Sequence, residues 1–328
     1  MLSAFDRLPN DQQFIGQDPS FVEEMEKIPL VARCDANVMI WGETGTGKEL
    51  CARAIHYLSP RAKSPFVPVN CGAIPADLVE NELFGHEPGA FTNASTSRPG
   101  LIHSAEGGTL FLDEITRLPL IAQGKLLRFL QEREYRPIGS AKTYRADVRV
   151  LAASNVEPKR AVIEGKLSRS LYYRLNVVPI KLPPLQQRRV DIPLLSRYFL
   201  TKYSAKFSKV VSDFSSGAMQ VLVLYDWPGN VRELEHVVQR AVLLSKQGVI
   251  GRSDIVLPRI ENISGKEGFR ETKAKVVAKF EKDYITKMLQ AHQGNVTRAA
   301  LAAKKNRRAF WELIRKHGID VERFRQPG

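Results

Sequence analysis

The run NVMIWGETGTGKE, residues 37–49, decides the fold. NVMIW is apolar along nearly its whole length, as a strand covered on both faces is, and the ELCARAIHYL that follows GETGTGK reads as a helix. Between them, Gly42, Gly45 and Gly47 let the backbone curl so that successive N–H groups point inward, where they can meet phosphate oxygens at a helix N-terminus. Lys48 then reaches the outer phosphates. The order strand, GxxxxGK, helix favours this cradle over a plain Gly-rich turn with an exposed lysine. Gly42, Glu43, Thr44, Gly45, Thr46, Gly47, Lys48 and Glu49 are therefore the candidate nucleotide-binding loop. Glu49 stands where a hydroxyl that ligates magnesium is usual, so any Mg²⁺ must be held by other groups or through water.

Working outward, FVPVN (66–70), TLFLD (109–113), VRVLAAS (148–154) and VVPIKL (177–182) repeat the strand pattern, with helical stretches such as AQGKLLRFLQE between several of them. That alternation predicts an α/β fold with a doubly wound parallel sheet. GGTLFLDEI (107–115) ends its strand in two acids at the carboxyl edge of such a sheet. Asp113 can hold the Mg²⁺ of Mg–ATP there, and Glu114 can polarise an attacking water. From about residue 190 the strand signal fades, and DIPLLSRYFLTKYSAKF, SSGAMQVLVLY and NVRELEHVVQRAVLLSK read as three helices, the last with Asn230 as its cap. PRIENISGKEG (258–268) breaks every period and reads as a linker.

Composition sets the limits. The chain has 328 residues, 43% of them apolar and 26% charged, enough for one large domain or two or three smaller ones. Cys34, Cys51 and Cys71 form no CxxC pair, so they read as small buried thiols in a reducing compartment. The start lacks the pattern of a signal peptide, and no apolar run is long enough to span a bilayer, so the expected location is cytoplasmic, without a membrane partner. Of the formal charge of +14, residues 264–328 carry +9, from 16 Lys/Arg against 7 Asp/Glu, which points that end toward a polyanion or a solvated helical face.

GETGTGKE, ELFGHEPGAFTNA, GGTLFLDEI, LYYRLNVVPIKLPPL and WPGNVRELE occur in the order and spacing of the AAA+ module of bacterial enhancer-binding proteins, and the chain resembles that family from about Phe14 to Pro258. The family activates sigma-54 RNA polymerase. The resemblance implies an N-terminal extension at 1–13, an AAA+ α/β subdomain at 14–185, an all-α lid at 186–257, the linker at 258–268 and a Fis-type helix-turn-helix domain at 269–328. It implies ATP hydrolysis with Mg²⁺ in a hexamer that is a dimer when inactive. Position by position, Asn70 matches the residue that restrains the catalytic glutamate, here Glu114. Ser154 and Asn155 match sensor I, and Arg232 matches sensor II in the lid. The family's pair of arginines supplied to a neighbour's nucleotide matches Arg174 at its second position. The first is Ser168 here, with Arg169 displaced by one residue.

In GHEPGAFTNASTSRPG (85–100), 10 of 16 residues are Gly, Pro, Ser, Thr or Asn, the composition of a long surface loop. It resembles the family's GAFTGA loop, which grips the sigma factor. Gly89, Ala90, Phe91, Thr92, Asn93 and Ala94 are the implied contact, with an exposed Phe-Thr tip, and Asn93 replaces the second glycine. EYRPIGSAKTYRADV (134–148) reads as a second insertion, a hairpin.

Residues 270–290 place Val276, Val277, Phe280, Tyr284, Met288 and Leu289 on a helical stripe. GNVTRAALAAKKNRRAFWELIRKHGI then resembles a Fis-type helix-turn-helix, with Asn306 capping its second helix and Lys304-Lys305 where the family has a turn glycine and an apolar residue. Arg307, Arg308, Arg315 and Lys316 are the implied contacts to double-stranded enhancer DNA. Phe310, Trp311, Leu313 and Ile314 read as core or dimer contacts. No receiver domain precedes the module in this sequence, so control is expected from a regulatory protein in trans, from expression level or from a segment outside it. Two rival readings follow from the departures: a regulator of ordinary promoters without sigma-54 contact, from Asn93, and a non-hydrolysing oligomer, from Ser168.

Overall fold

The computed structural model describes residues 14–91, 95–245, 248–258, 269–321 and 324, with the backbone alone at 269–276, 279, 280 and 283. The extension at 1–13 and all of the linker but Pro258 lie outside the described residues. The chain divides into two compact units, Met1–Leu257 and Pro258–Gly328.

The first unit is built on five parallel strands: β1 (Val38–Trp41), β2 (Phe66–Asn70), β3 (Thr109–Asp113), β4 (Arg149–Ser154) and β5 (Val178–Lys181), in the spatial order β2-β3-β4-β1-β5. Successive side chains of a strand face opposite sides, and each side has its own core. Ile40, Phe111, Leu151 and Ile180 pack with Phe21 and Ile28 of the helix Pro19–Ala32 and with Ile55 of the helix Lys48–Tyr57. Met39, Leu110, Leu112, Val150 and Ala152 pack with Leu83 of the helix Val79–Phe84, Leu126 and Phe129 of the helix Leu120–Glu132, and Leu171 of the helix Arg169–Leu175. His56 is buried in the layer with Phe21, its Nδ1 3.0 Å from Thr109 Oγ1.

Because every strand runs the same way, Trp41, Asn70, Asp113, Ser154 and Lys181 all end on one edge. β1 lies between β4 and β5, so the connection after it leaves where the winding reverses, the place where such sheets leave a crevice for a ligand. The lid helices Ile192–Phe207, Ser216–Leu224 and Asn230–Leu244 enclose a separate core around Leu195, Phe199, Trp227, Leu234 and Val238.

In this first unit two expectations need correction. Cys51 and Cys71 are buried, and burial pushes the Cys71 thiol up to about 12. Cys34 is exposed, because it follows the last turn of the helix Pro19–Ala32, where its Sγ donates to Val31 O at 3.4 Å. Asn230 does not cap its helix. The cap position is Gly229, whose N–H is held by Glu233 Oε2 at 2.7 Å, while Asn230 is the first helical residue, with φ of 53°.

The second unit packs the helices Phe269–Ala291, Val296–Ala302 and Arg307–Lys316 around Ile285, Leu289, Ala299, Ala300, Phe310 and Ile314. Its long helix turns Ile285 and Leu289 inward, while Val277 and Tyr284 of the sequence stripe are exposed. The side chains of Val276 and Phe280 lie outside the described residues. Asn295 and Asn306 cap the two shorter helices, accepting from Arg298 N at 3.1 Å and Ala309 N at 2.7 Å. Lys304 takes the left-handed conformation, φ 51°, that a glycine would otherwise supply to the turn.

Candidate active site

The loop between β1 and the helix Lys48–Tyr57 curls through two left-handed glycines, Gly45 (φ 81°) and Gly47 (φ 102°). Thr46 is buried, and its Oγ1 donates to Glu43 O at 2.8 Å, closing the curl. Lys48 opens the helix but folds back, Nζ donating to Gly42 O at 2.8 Å and Glu43 O at 3.0 Å. It is only 8% exposed, so burial lowers its pKa, against the opposing pull of the Asp113 and Glu114 carboxylates. That pull places both acids and the lysine in one electrostatic cluster. The Glu49 carboxylate points away to Arg53, at 2.7 Å one turn along the helix.

Asp113 ends β3 directly opposite Asn70 of β2, and its Oδ1 accepts the Glu114 N–H at 2.9 Å. Glu114 sits in the left-handed region, φ 54°, which throws its side chain off the strand line. The carboxylate comes to rest over Gly72: a Cβ there would lie 2.5 Å from Glu114 Oε2 and 3.3 Å from Asn70 Oδ1. Asn70 Oδ1 accepts the Gly72 N–H at 2.9 Å. Asn70, Gly72 and Glu114 thus share one corner, and Gly72 is a member of it that no sequence pattern marks.

Ser154 ends β4 beside Trp41 and is buried, its Oγ donating to Val156 O at 2.6 Å. Asn155 follows at the strand end and is half-buried. On the lid side, the Val231 and Arg232 N–H groups reach Gly45 O at 3.0 and 3.4 Å, which sets Arg232 beside the loop. A cavity of about 290 Å³ opens between loop and lid, lined by Phe14, Phe21, Leu182, Arg188, Tyr198 and Arg232 among others. Arg188 is buried, stacked 4.2 Å from the Phe21 ring and 3.6 Å from Asp191. An apolar slot with a few fixed polar groups, next to a phosphate cradle, suits a nucleotide base.

Arg174 stands at the other end of the sheet. Its carbonyl accepts from Asn37 Nδ2 at 2.9 Å, before β1 begins, and its guanidinium donates to Leu130 O at 2.8 Å. A strand length, about 13 Å for four residues, separates that edge from the loop of the same protomer. Arg169 is exposed, 5.8 Å above the Tyr173 ring. Ser168 caps this helix, accepting from Leu171 N at 3.3 Å, while its own N–H is held by Gln123 Oε1 at 2.8 Å.

The long loop rises from a short antiparallel pairing of Gly85–His86 with Arg98–Pro99. Gly89 is left-handed, φ 79°, and the Ala90 N–H returns to Glu87 O at 3.2 Å. Phe91 is 45% exposed, its ring 4.9 Å from that of His86. Thr92, Asn93 and Ala94 lie outside the described residues. The stalk is braced by the second insertion, a hairpin pairing Glu134–Tyr135 with Tyr144–Arg145, through Glu87 N to Ile138 O at 3.0 Å and Ile138 N to Gly85 O at 2.8 Å.

In the second unit Arg307, Arg308 and Arg315 are exposed on the helix Arg307–Lys316. Lys316 is tied to Glu281 at 2.9 Å, and His317 shares the same carboxylate at 2.8 Å. Hydrogen bonds from Lys316 and His317 hold Glu281 below the usual carboxylate range. Trp311 is 43% exposed rather than core, unlike Phe310 and Ile314.

The sigma-54 interaction domain family matches residues 14–181, and the AAA+ ATPase lid domain family matches residues 186–268. The chain is 42% identical over 315 residues to the transcriptional regulatory protein GlrR of Escherichia coli (strain K12), covering 96% of this chain and 70% of GlrR. It is 44% identical over 314 residues to the regulatory protein AtoC of the same strain, covering 93% and 68%. A crystal structure of NtrX from Brucella abortus in complex with ADP superposes with a TM-score of 0.70 at 30% identity, covering 97% of this chain and 71% of that one. The NtrX complex with ATP gives 0.68 at 31% identity, covering 95% and 70%.

Proposed function

The chain belongs to the family of sigma-54-dependent transcriptional regulators and is an AAA+ ATPase, and from that membership we propose that it spends ATP to open promoter complexes of sigma-54 RNA polymerase. The observation that carries the proposal is a continuous path. Glu114 rests on Gly72, and the chain from Gly72 runs through the helix Val79–Phe84 directly into the stalk of the loop at Gly85. A change at the acid is therefore passed to the loop within one short segment.

In this reading the loop amides and Lys48 bind the phosphates, and Glu114 takes the proton from the attacking water. Asn70 holds the corner in which that carboxylate sits, and Ser154, Asn155 and Arg232 respond to the outer phosphate. Mg²⁺ suits the site, because the Asp113 carboxylate ends β3 on the sheet edge from which the phosphate loop leaves β1. Asp113 would hold the ion with the phosphate oxygens, where its charge offsets that of the departing phosphate. Arg174 lies too far from its own loop to serve it, so it completes a neighbour's site in a ring, a hexamer formed from inactive dimers, with Arg169 beside it.

Phe91 with Thr92, Asn93 and Ala94 contacts the sigma factor, while Arg307, Arg308, Arg315 and Lys316 hold enhancer DNA. The protein works in the cytoplasm. Asn93, in place of the family's second loop glycine, favours a second reading in which the chain regulates ordinary promoters without touching sigma-54. Capture of purified sigma-54 in the presence of ADP and aluminium fluoride separates the two. Capture by the wild type, lost in Thr92→Ala, supports the proposal; no capture by the wild type while Asn93→Gly captures favours the second reading.

A further inference from the structure

Asn230 is fully buried, in the left-handed conformation, and its side chain makes three hydrogen bonds to distant parts of the chain. Its Oδ1 accepts the Leu185 N–H at 2.7 Å, where the sheet hands over to the lid. Its Nδ2 donates to Glu43 Oε2 at 3.1 Å and to Thr44 O at 3.0 Å, both in the phosphate loop. The amide can take only this orientation, since Leu185 offers a donor while the carboxylate and carbonyl offer only acceptors. Around it the backbones close up. Val231 N meets Gly45 O at 3.0 Å, and a Cβ on Gly45 would stand 2.2 Å from Gly229 O. The phosphate loop, the sheet-to-lid connection and the start of the helix that carries Arg232 therefore meet at one side chain.

We propose that Asn230 is a positioning residue that locks the phosphate loop to the lid, so that the loop adopts its nucleotide-binding shape only while the lid helix is seated on it. An amide suits the position because it offers a donor and an acceptor without charge, and because Asn tolerates φ > 0 better than other side chains. Aspartate has the same shape but opposes an oxygen to Glu43 and Thr44. Glutamine at 43 would supply that oxygen with a donor. The inference rests on the reading of residues 42–49 as the ATP site.

The test uses the full chain and the Kd of a fluorescent ATP analogue, with thermal melting to register folding. Asn230→Asp is expected to raise Kd about tenfold or more, the scale for setting a buried acceptor against acceptors. Adding Glu43→Gln to that variant should recover most of the loss. Loss and recovery of affinity at an unchanged melting temperature is something a merely structural role for Asn230 would not produce. An Asn230→Asp variant with wild-type affinity, or a double variant that binds no better than the single one, overturns the proposal. If Asn230→Asp does not fold, Asn230→Gly, which keeps the backbone conformation, is measured instead: weakened binding supports the lock and unchanged binding overturns it. A wild-type chain that does not bind the analogue refutes the ATP site itself, a separate result.

Discussion

Gly72→Ala tests the catalytic corner with one methyl group. The new Cβ would lie 2.5 Å from Glu114 Oε2, whereas carbon and oxygen in ordinary contact sit about 3.3 Å apart, so something must move by about 0.8 Å. The backbone at Gly72 is not in the left-handed region, so alanine brings no strain of its own. What gives way is the end of the flexible Glu114 side chain. A misplacement near 1 Å of a group that must align a water costs about 100-fold in rate, or about 2.7 kcal/mol of barrier. Nothing in the phosphate loop is touched. Phosphate release from the assembled protein should therefore fall about 100-fold in kcat, with the Kd for ATP and the melting temperature close to wild type. A kcat within about threefold of wild type would refute the placement of Glu114 as the acid that activates water.

Three further outcomes follow. Arg174→Ala should abolish turnover while leaving ATP affinity intact; normal phosphate release from that variant would remove it from a neighbour's site. Replacing Arg307 and Arg308 together by alanine should weaken binding to all DNA sequences and lower the slope of log affinity against log salt by about one for each phosphate no longer neutralised, measured by fluorescence anisotropy. An unchanged slope would place DNA elsewhere on the chain. Burial pushes His56 below its ordinary 6.5, so the unfolded chain takes up a proton that the folded one refuses. Stability should be full above pH 6.5 and fall as the pH drops below it, and His56→Gln should flatten that decline in thermal melts. An identical decline in the variant would remove His56 from the acid sensitivity.

The sheet is legible in the sequence because its three inner strands, β1, β3 and β4, are buried on both faces and so read as largely apolar runs. The GETGTGKE loop is legible because its glycines and lysine fall at spacings that backbone geometry demands. What stays hidden depends on contacts between residues far apart in sequence. Asn230 looks like a helix cap because Asn before an amphipathic run usually is one, yet its partners lie as far as 187 positions away. Gly72 is an ordinary glycine after a strand until Glu114, 42 residues on, is seen lying on it. Ser168 reads as a lost arginine from the family pattern, and the structure adds its local work as a cap. The apolar stripe read on the long C-terminal helix is met in part: Leu289 and Met288 join the core beside Ile285, which the stripe left out, while Val277 and Tyr284 are exposed, since period alone does not fix the bounds of the buried face. Lys304 shows the reverse case, a turn whose left-handed residue need not be the glycine that sequence patterns look for.

The coupling of ATP cleavage to polymerase is tested most directly by following single-stranded DNA at a sigma-54 promoter by permanganate reactivity, with sigma-54 polymerase and this protein present. Strand opening with ATP, absent with a non-hydrolysable analogue and absent in Thr92→Ala despite normal phosphate release, is the result that coupling predicts. Normal phosphate release from the wild type with the promoter still closed would contradict it.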